Sequence, residues 1–317
     1  MSTETTLEDR IAEIYLYLGE HFADLKPDEV AELRVLGERS AMSGFYDDLE
    51  EMAQQAAVLD DEGWAVYYGL NPRRKNITDS PNEIGSRVGG KDKDVTRRAW
   101  LFLDFDPDKT PEGKGQCATK QEKDAARSRV KTVAKWLAAK GFGSPKIVDS
   151  GNGYHVLYKV DLPTDTDLCE GVLRAAKAEF GIEMDSVFDA ARIARLPGGL
   201  NRKGNNTAER PHRRAKLLGG KPKTVPPATL RKVALGHAAQ PATRREPAKT
   251  GKLPISETRW AAANSWLAKQ PAAIEGDGGD KQTFTVCCFL ARDFALEWDD
   301  AWELLLEYNE RCNPPWD

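Results

Sequence analysis

Pro145-Lys-Ile-Val-Asp-Ser-Gly-Asn-Gly-Tyr-His-Val-Leu-Tyr-Lys-Val160 decides the fold. Two short apolar runs, Pro145–Ser150 and Tyr154–Val160, flank Asn152-Gly153. An Asn-Gly step between such runs is a strong hairpin signal, because both residues tolerate the positive φ a tight turn needs. The spacing predicts two antiparallel strands. Upstream, Trp100-Leu-Phe-Leu-Asp-Phe-Asp-Pro107 reads as another strand. Residues 120–140 carry Ala125, Val130, Val133, Ala134 and Leu137 at helical spacing and stop at Gly141 and Gly143. Residues 165–180 make a second amphipathic helix ended by Gly181. This order predicts an α+β domain with mostly antiparallel sheets and flanking helices, not a doubly wound parallel sheet.

Outward from this core the texture changes. Residues 7–60 read as helices: Leu7, Ile11, Ile14, Tyr15 and Leu18 recur at helical spacing, and Glu29–Ser40 and Tyr46–Leu59 continue in that style. Trp64-Ala-Val-Tyr-Tyr-Gly-Leu70 reads as a strand closed by Asn71-Pro72. Residues 73–98 are polar, basic and glycine-bearing, and read as a mobile loop. Residues 219–254 are Pro-, Lys- and Ala-rich and read as a linker. Helical spacing returns at Trp260–Leu267, Phe284–Phe294 and Ala301–Tyr308. The expected organisation is acidic N-terminal helices over 1–62 packing on the core, a catalytic domain over 63–218, the linker, and a small helical domain over 255–317.

The 317 residues have a net charge of −4, which hides an asymmetry. Residues 1–62 hold 4 Lys+Arg against 17 Asp+Glu, and residues 251–317 hold 6 against 12. The remaining 63–250 therefore hold 36 against 21, a basic block that suits a nucleic-acid partner as well as a merely solvated face. No apolar run approaches the roughly 18 residues of a membrane span, and no signal-peptide pattern opens the chain. The five cysteines show no Cys-x-x-Cys spacing, so neither zinc nor a disulfide framework is expected, and a cytoplasmic setting fits.

Three separated stretches carry chemistry. In Leu103-Asp104-Phe105-Asp106, strand alternation turns both carboxylates to one face, where a divalent cation would relieve their repulsion. The bland reading is a strand end dipping into solvent. Ser150-Gly151-Asn152-Gly153-Tyr154-His155 is a glycine hairpin whose amides could face an anion, with His155 able to add a hydrogen bond or a charge to a phosphate. The third is Met184-Asp185-Ser-Val-Phe-Asp189-Ala-Ala-Arg192-Ile-Ala-Arg195-Leu-Pro-Gly-Gly-Leu-Asn201-Arg202-Lys203. It sets one or two acids before a cationic run and a glycine turn. Plain helical surface pairs, Asp185/Asp189 and Asp189/Arg192, are the alternative.

Taken in order, these stretches resemble the archaeo-eukaryotic primase superfamily, specifically the primase-polymerases of phages, plasmids and other mobile elements. That pattern is an Asp-x-Asp strand, a Ser-x-His type motif and a hydrophobic residue followed by an acid. Here Leu103–Asp106, Ser150–His155 and Met184-Asp185 match it, and the likeness spans roughly Trp64 to Lys203. Residues 256–316 resemble the small helical domain that follows the catalytic domain in these proteins.

The resemblance implies template-dependent nucleotidyl transfer that makes primers or extends DNA. It implies two divalent ions, Mg²⁺ or Mn²⁺, on Asp104, Asp106 and Asp185, with Asp189 in reserve or paired to Arg192. Ser150, Gly151, Asn152, Gly153 and His155 would meet the triphosphate of an NTP or dNTP, with Arg192, Arg195, Asn201 and Lys203 adding charge and polar contact. The implied partners are a single-stranded DNA template and a helicase in the same, longer chain. Two other classes compete: a metal-dependent nuclease using the same acids, and a non-catalytic single-strand-binding module using Tyr67, Tyr68 and Tyr154 as stacking platforms.

Overall fold

The computed structural model describes residues 6–86, 89–108, 113–181, 189–238, 256–275, 279–294, 296 and 298–316. The chain divides into two compact units, Met1–Gln240 and Pro241–Asp317.

The first unit opens with α1 (Leu7–His21), which starts at Thr6 because of a capping box. Thr6 Oγ1 accepts from the Asp9 amide at 3.1 Å while the Asp9 carboxylate accepts from the Thr6 amide at 3.2 Å. Then come β1 (Glu29–Leu36), β2 (Ala41–Tyr46), α2 (Leu49–Asp61), β3 (Ala65–Gly69), β4 (Arg73–Arg74), β5 (Ile84–Ser86) and β6 (Arg98–Phe105). Next are α3 (Lys120–Ala139), β7 (Lys146–Asp149), β8 (Tyr154–Leu162) and α4 (Leu168–Phe180). The short strands β9 (Ile193–Arg195), β10 (Leu200–Asn201), β11 (Arg213–Arg214) and β12 (Lys216–Gly219) precede α5 (Pro227–Ala238).

The strands form antiparallel sheets. One runs β5-β2-β1-β3-β9 with β4 also on β1, another runs β12-β7-β8-β6, and β10-β11 is a two-stranded ribbon. The fold is thus α+β with antiparallel sheets and flanking helices. The hairpin forms where it is expected, with Asp149 opposite Tyr154, but its loop spans 150–153 and the positive φ falls on Gly151 rather than on Asn152 or Gly153. The helices over 120–140 and 165–180 also form, the second ending at Gly181 with φ of 60°.

Three expectations are corrected. Glu29–Ser40 is not a helix. It is β1, whose Ala31, Leu33 and Val35 are buried in one core with Ile14 and Leu18 of α1 and Met52 and Ala53 of α2. The acids that mimic a helix's polar face are buried by distant arginines: Glu32 pairs with Arg73 at 2.8 Å, and Glu29 with Arg97 at 3.1 Å. Residues 1–62 therefore supply strands to the sheet rather than an all-helical cap.

The same two arginines correct the reading of 73–98 as a polar loop. Arg73 is fully buried, Arg97 nearly so, and β4 and β5 lie within the stretch. The 219–254 segment, read as a linker, contains α5. Val225, Leu230 and Val233 join the core, and the missing Cβ of Gly171 on α4 lets Ala234 approach closely. An alanine- and lysine-rich composition conceals these three apolar positions.

The second unit is helical, as expected: α6 (Ser256–Leu267), α7 (Gly279–Cys288) and α8 (Trp298–Asn309) surround Leu267, Val286, Leu290, Leu304 and Tyr308. Among the described residues, no helix is long and apolar enough to cross a membrane.

Candidate active site

β6 delivers Asp104 to the sheet that β8 centres. Asp104 lies directly opposite His155, as Phe102 lies opposite Leu157 and Trp100 opposite Lys159, so all six share one face. His155 Nε2 stands 3.9 Å from Asp104 Oδ1, and its ring meets Phe102 edge-on with centroids 5.1 Å apart. Asp106 lies just beyond the strand end and is exposed.

The hairpin fixes the geometry at this end. Asn152, buried, accepts from the Ala118 amide through Oδ1 at 2.9 Å, which commits its Nδ2 to Asp106 Oδ1 at 3.2 Å. Asp149 is held by Lys123, whose Nζ reaches both carboxylate oxygens at 2.6 and 2.7 Å. A Cβ at Gly153 would collide with the Phe105 carbonyl oxygen, and one at Gly151 (φ 82°) with that of Arg213.

The hairpin amides are engaged within the loop. Ser150 N donates to Gly153 O at 3.0 Å, Gly151 N to Asp149 Oδ1 at 2.8 Å and Gly153 N to Ser150 Oγ at 2.9 Å. In this conformation an anion would not meet these three donors. The loop seats Asn152 and His155 instead.

Burial is the main influence on His155. Desolvation pushes its pKa down to about 3, and the nearby Arg195 cation adds to the effect, so the ring is neutral near pH 7. Its Nδ1 is buried without a hydrogen bond among the described residues. A neutral donor or acceptor is thus available there, not a charge.

Arg195, on β9, is nearly buried. Its guanidinium stacks on the Tyr67 ring at 4.3 Å and donates to the Tyr67 hydroxyl at 2.6 Å, while no carboxylate pairs with it among the described residues. Burial lowers its pKa, yet an arginine retains its proton in proteins. A buried cation near a neutral histidine, influenced by the Asp60 carboxylate but in no direct ion pair among the described residues, suits an incoming anion.

Other expected residues have different settings. Arg192 pairs with Asp189 at 2.6 Å, the plain surface pairing weighed from the sequence. Asn201 is buried, and its Nδ2 donates to the Ser150 carbonyl at 3.1 Å, so it braces the hairpin. Lys203 is exposed. Met184 and Asp185 lie outside the described residues, and no group of three or more His, Cys, Asp or Glu forms a metal site among those described.

Sequence reasoning passed over two buried polar residues that place the site. Asn71 accepts from the Ala99 and Trp100 amides at 2.8 and 3.2 Å and donates to Ala190 O at 2.8 Å, tying β6 to the segment before β9. Its Asn-Pro context signals only a turn. Asp60 looks from sequence like one more acid in an acidic region. It is buried and accepts from Arg202 at 2.8 Å, Arg214 at 2.6 Å and the Leu200 amide at 2.9 Å.

No protein-family profile matches the chain, and no curated protein matches it. Among solved structures it is similar to the crystal structure of primase RepB′, at 15% identity and a TM-score of 0.43, covering 94% of this chain and 86% of that one. It is also similar to the catalytic domain of primase RepB′ in complex with initiator DNA (16% identity, TM-score 0.42, 74% and 99% covered). A third is the polymerase domain of Mycobacterium tuberculosis ligase D in complex with DNA (14% identity, TM-score 0.37, 75% and 91% covered).

Proposed function

We propose that this chain is a metal-dependent nucleotidyltransferase that lengthens or primes a nucleic-acid strand on a DNA template. One observation carries the reading: at the end of β6, Asp104 lies 3.9 Å from a buried neutral His155 and Asp106 is held by Asn152 of the same hairpin, with the Arg195 cation close enough to depress the histidine's pKa.

The donor chemistry fits Mg²⁺ or Mn²⁺, which prefer carboxylate oxygens. Asp106 is exposed, and its carboxylate is engaged by the neutral Asn152 amide. Asp104 and Asp106 would hold the ions, with Asp185 as the third acid on the strength of its Met184-Asp185 context. Divalent ions bound there would supply the charge that neutralises a nucleoside triphosphate and acidifies a 3′-hydroxyl.

The chain's own residues then bind and orient. His155 offers a hydrogen bond to a phosphate oxygen without adding charge. Arg195, fixed by Tyr67, supplies a positive charge whose effect is strengthened by burial. Asn152 keeps Asp106 from swinging away.

The test is a labelled primed template with Mn²⁺ and nucleotides. Lengthening supports the proposal. Shortening of the strand with or without nucleotides means a nuclease, and binding without any change of length means a binding module.

A further inference from the structure

The β10–β11 ribbon, its loop and the start of β12 form a basic stretch that the proposed chemistry leaves unused. Residues 200–216 carry six cations (Arg202, Lys203, Arg210, Arg213, Arg214 and Lys216) against one acid, Glu209. Two carboxylates reach in from outside: Asp60 takes Arg202 and Arg214, and Glu122 takes Arg210 at 2.8 Å. Asp60 also has Arg10 at 3.7 Å, so one buried carboxylate serves three arginines. The ribbon is therefore over-supplied with positive charge even after its ion pairs are formed. Lys203 and Lys216 are exposed, and Arg213 donates to the Ala118 carbonyl at 2.7 Å. None of these three forms an ion pair among the described residues.

The ribbon is anchored on both faces. Register places Leu200 opposite Arg214 and Asn201 opposite Arg213. Leu200, Arg202 and Arg214 are tied to Asp60 on α2, whereas Asn201 is tied to Ser150 of the hairpin that seats Asn152 and His155. The loop beyond is pinned too, by Asn205 N to Gln116 Oε1 at 2.9 Å and by His212 Nε2 at 2.8 Å from Gly204 O. A solvated charge run needs no such bracing. Held this way, the surplus charge sits one hydrogen bond from the site hairpin and has no large exposed apolar side chain within 200–216 to suit a protein partner.

We infer that the β10–β11 ribbon with its loop, together with the first residue of β12, is the surface that receives the phosphate backbone of a single-stranded DNA template, with Lys203, Arg213 and Lys216 as its phosphate contacts and Asp60 as the positioning residue that holds the ribbon. The inference rests on the proposed template-dependent function for the identity of the strand. It assigns Lys203 to the strand rather than to the nucleotide's triphosphate.

The test is equilibrium binding of a fluorescent oligo-dT by the full chain, without nucleotide or divalent ion, across a salt series. It compares wild type with the triple variant Lys203→Ala, Arg213→Gln, Lys216→Ala. The glutamine keeps a donor for the Ala118 carbonyl, and thermal unfolding checks that the fold is retained. Each lost phosphate contact on a single strand lowers the slope of log K against log salt by about 0.7, so three lower it by about 2. If the two lines meet near 1 M salt, affinity at 0.1 M falls about a hundredfold.

Parallel salt lines with unchanged affinity would overturn the inference. So would unchanged strand affinity with a raised KM for nucleotide, which would return these cations to the triphosphate. Because binding is read without catalysis, a wild type that binds DNA but adds no nucleotide would sink the polymerase reading and leave this one standing.

Discussion

The two ends of one sheet face differ instructively. At one end lie Asp104, Asp106 and His155. At the other, on the same face of the same sheet, lie Trp100 of β6, Lys159 of β8 and Lys146 of β7. Both ends bury titratable groups with displaced pKa values. Lys146 Nζ sits over the Tyr17 and Trp100 rings at 4.9 and 5.1 Å and makes no hydrogen bond among the described residues. Burial pushes its pKa down to about 8, and the neighbouring His21, stacked on Trp100 at 4.5 Å, is held well below its ordinary value for the same reason. A displaced pKa therefore does not distinguish the ends. Access does: α1 closes the Lys146 end with aromatic rings, while the other end leaves Asp106 exposed beside Asp104.

The largest effect expected from this contrast is at the open end. Asp104→Ala with Asp106→Ala should lower nucleotide incorporation by about a thousandfold or more, since divalent ions contribute several kcal/mol to such transition states. The thermal midpoint should stay close to wild type. Retained primer extension in the double variant would break the assignment of these acids. Next, Asn152→Ala should weaken activation by Mn²⁺ about 10- to 100-fold, the usual cost of losing a group that orients a ligand. A Mn²⁺ titration of activity reads this directly.

The closed end should behave in the opposite way. Lys146→Met replaces an unpaired buried cation by an apolar chain of similar length, and should leave incorporation unchanged and stability equal or about 1 kcal/mol higher. Denaturant unfolding near pH 7 checks it, and a loss above about 2 kcal/mol would mean that the ring contacts hold the lysine favourably.

The closed end also sets a pH dependence. Between about pH 8 and the ordinary lysine value of 10.5, an unfolded Lys146 keeps a proton that the folded one has released. Unfolding then takes up a proton, so wild-type stability rises with pH through that window relative to Lys146→Met. Glu20 opposes the shift and Lys159 adds to it. His21 acts at the acid side: as pH falls below 6.5, its unfolded form takes up a proton that the folded form refuses, and stability falls. Matching curves for wild type and Lys146→Met would remove Lys146 from this account.

What could be read from the chain alone followed the range of the forces involved. The 145–160 hairpin, the Asp104 strand and the helices at 120–140 and 168–180 are specified by neighbours in sequence: alternation, a glycine-bearing turn and glycine stops. β1 is not, because Glu32 is made tolerable inside a sheet by Arg73, 41 residues later, and Glu29 by Arg97, 68 later. α5 was hidden for a similar reason, since Leu230 and Val233 acquire meaning only against α4. At the site, Asp104, Asp106 and His155 were placed together by motif order, and β6–β8 pairing gives that order a geometry. The hairpin's engaged amides were the legible part left unread, because Asp and Ser just before a turn readily capture backbone N–H groups.

Gly151 and Gly153 carry a consequence for how this sequence can change. The hairpin is pressed between the carbonyls of Phe105 and Arg213, two stretches more than a hundred residues apart in the chain. Even alanine at either position must displace backbone, and through Asn152 it would displace Asp106 as well. In a library of random variants selected for activity, these two glycines should be as intolerant of replacement as the aspartates.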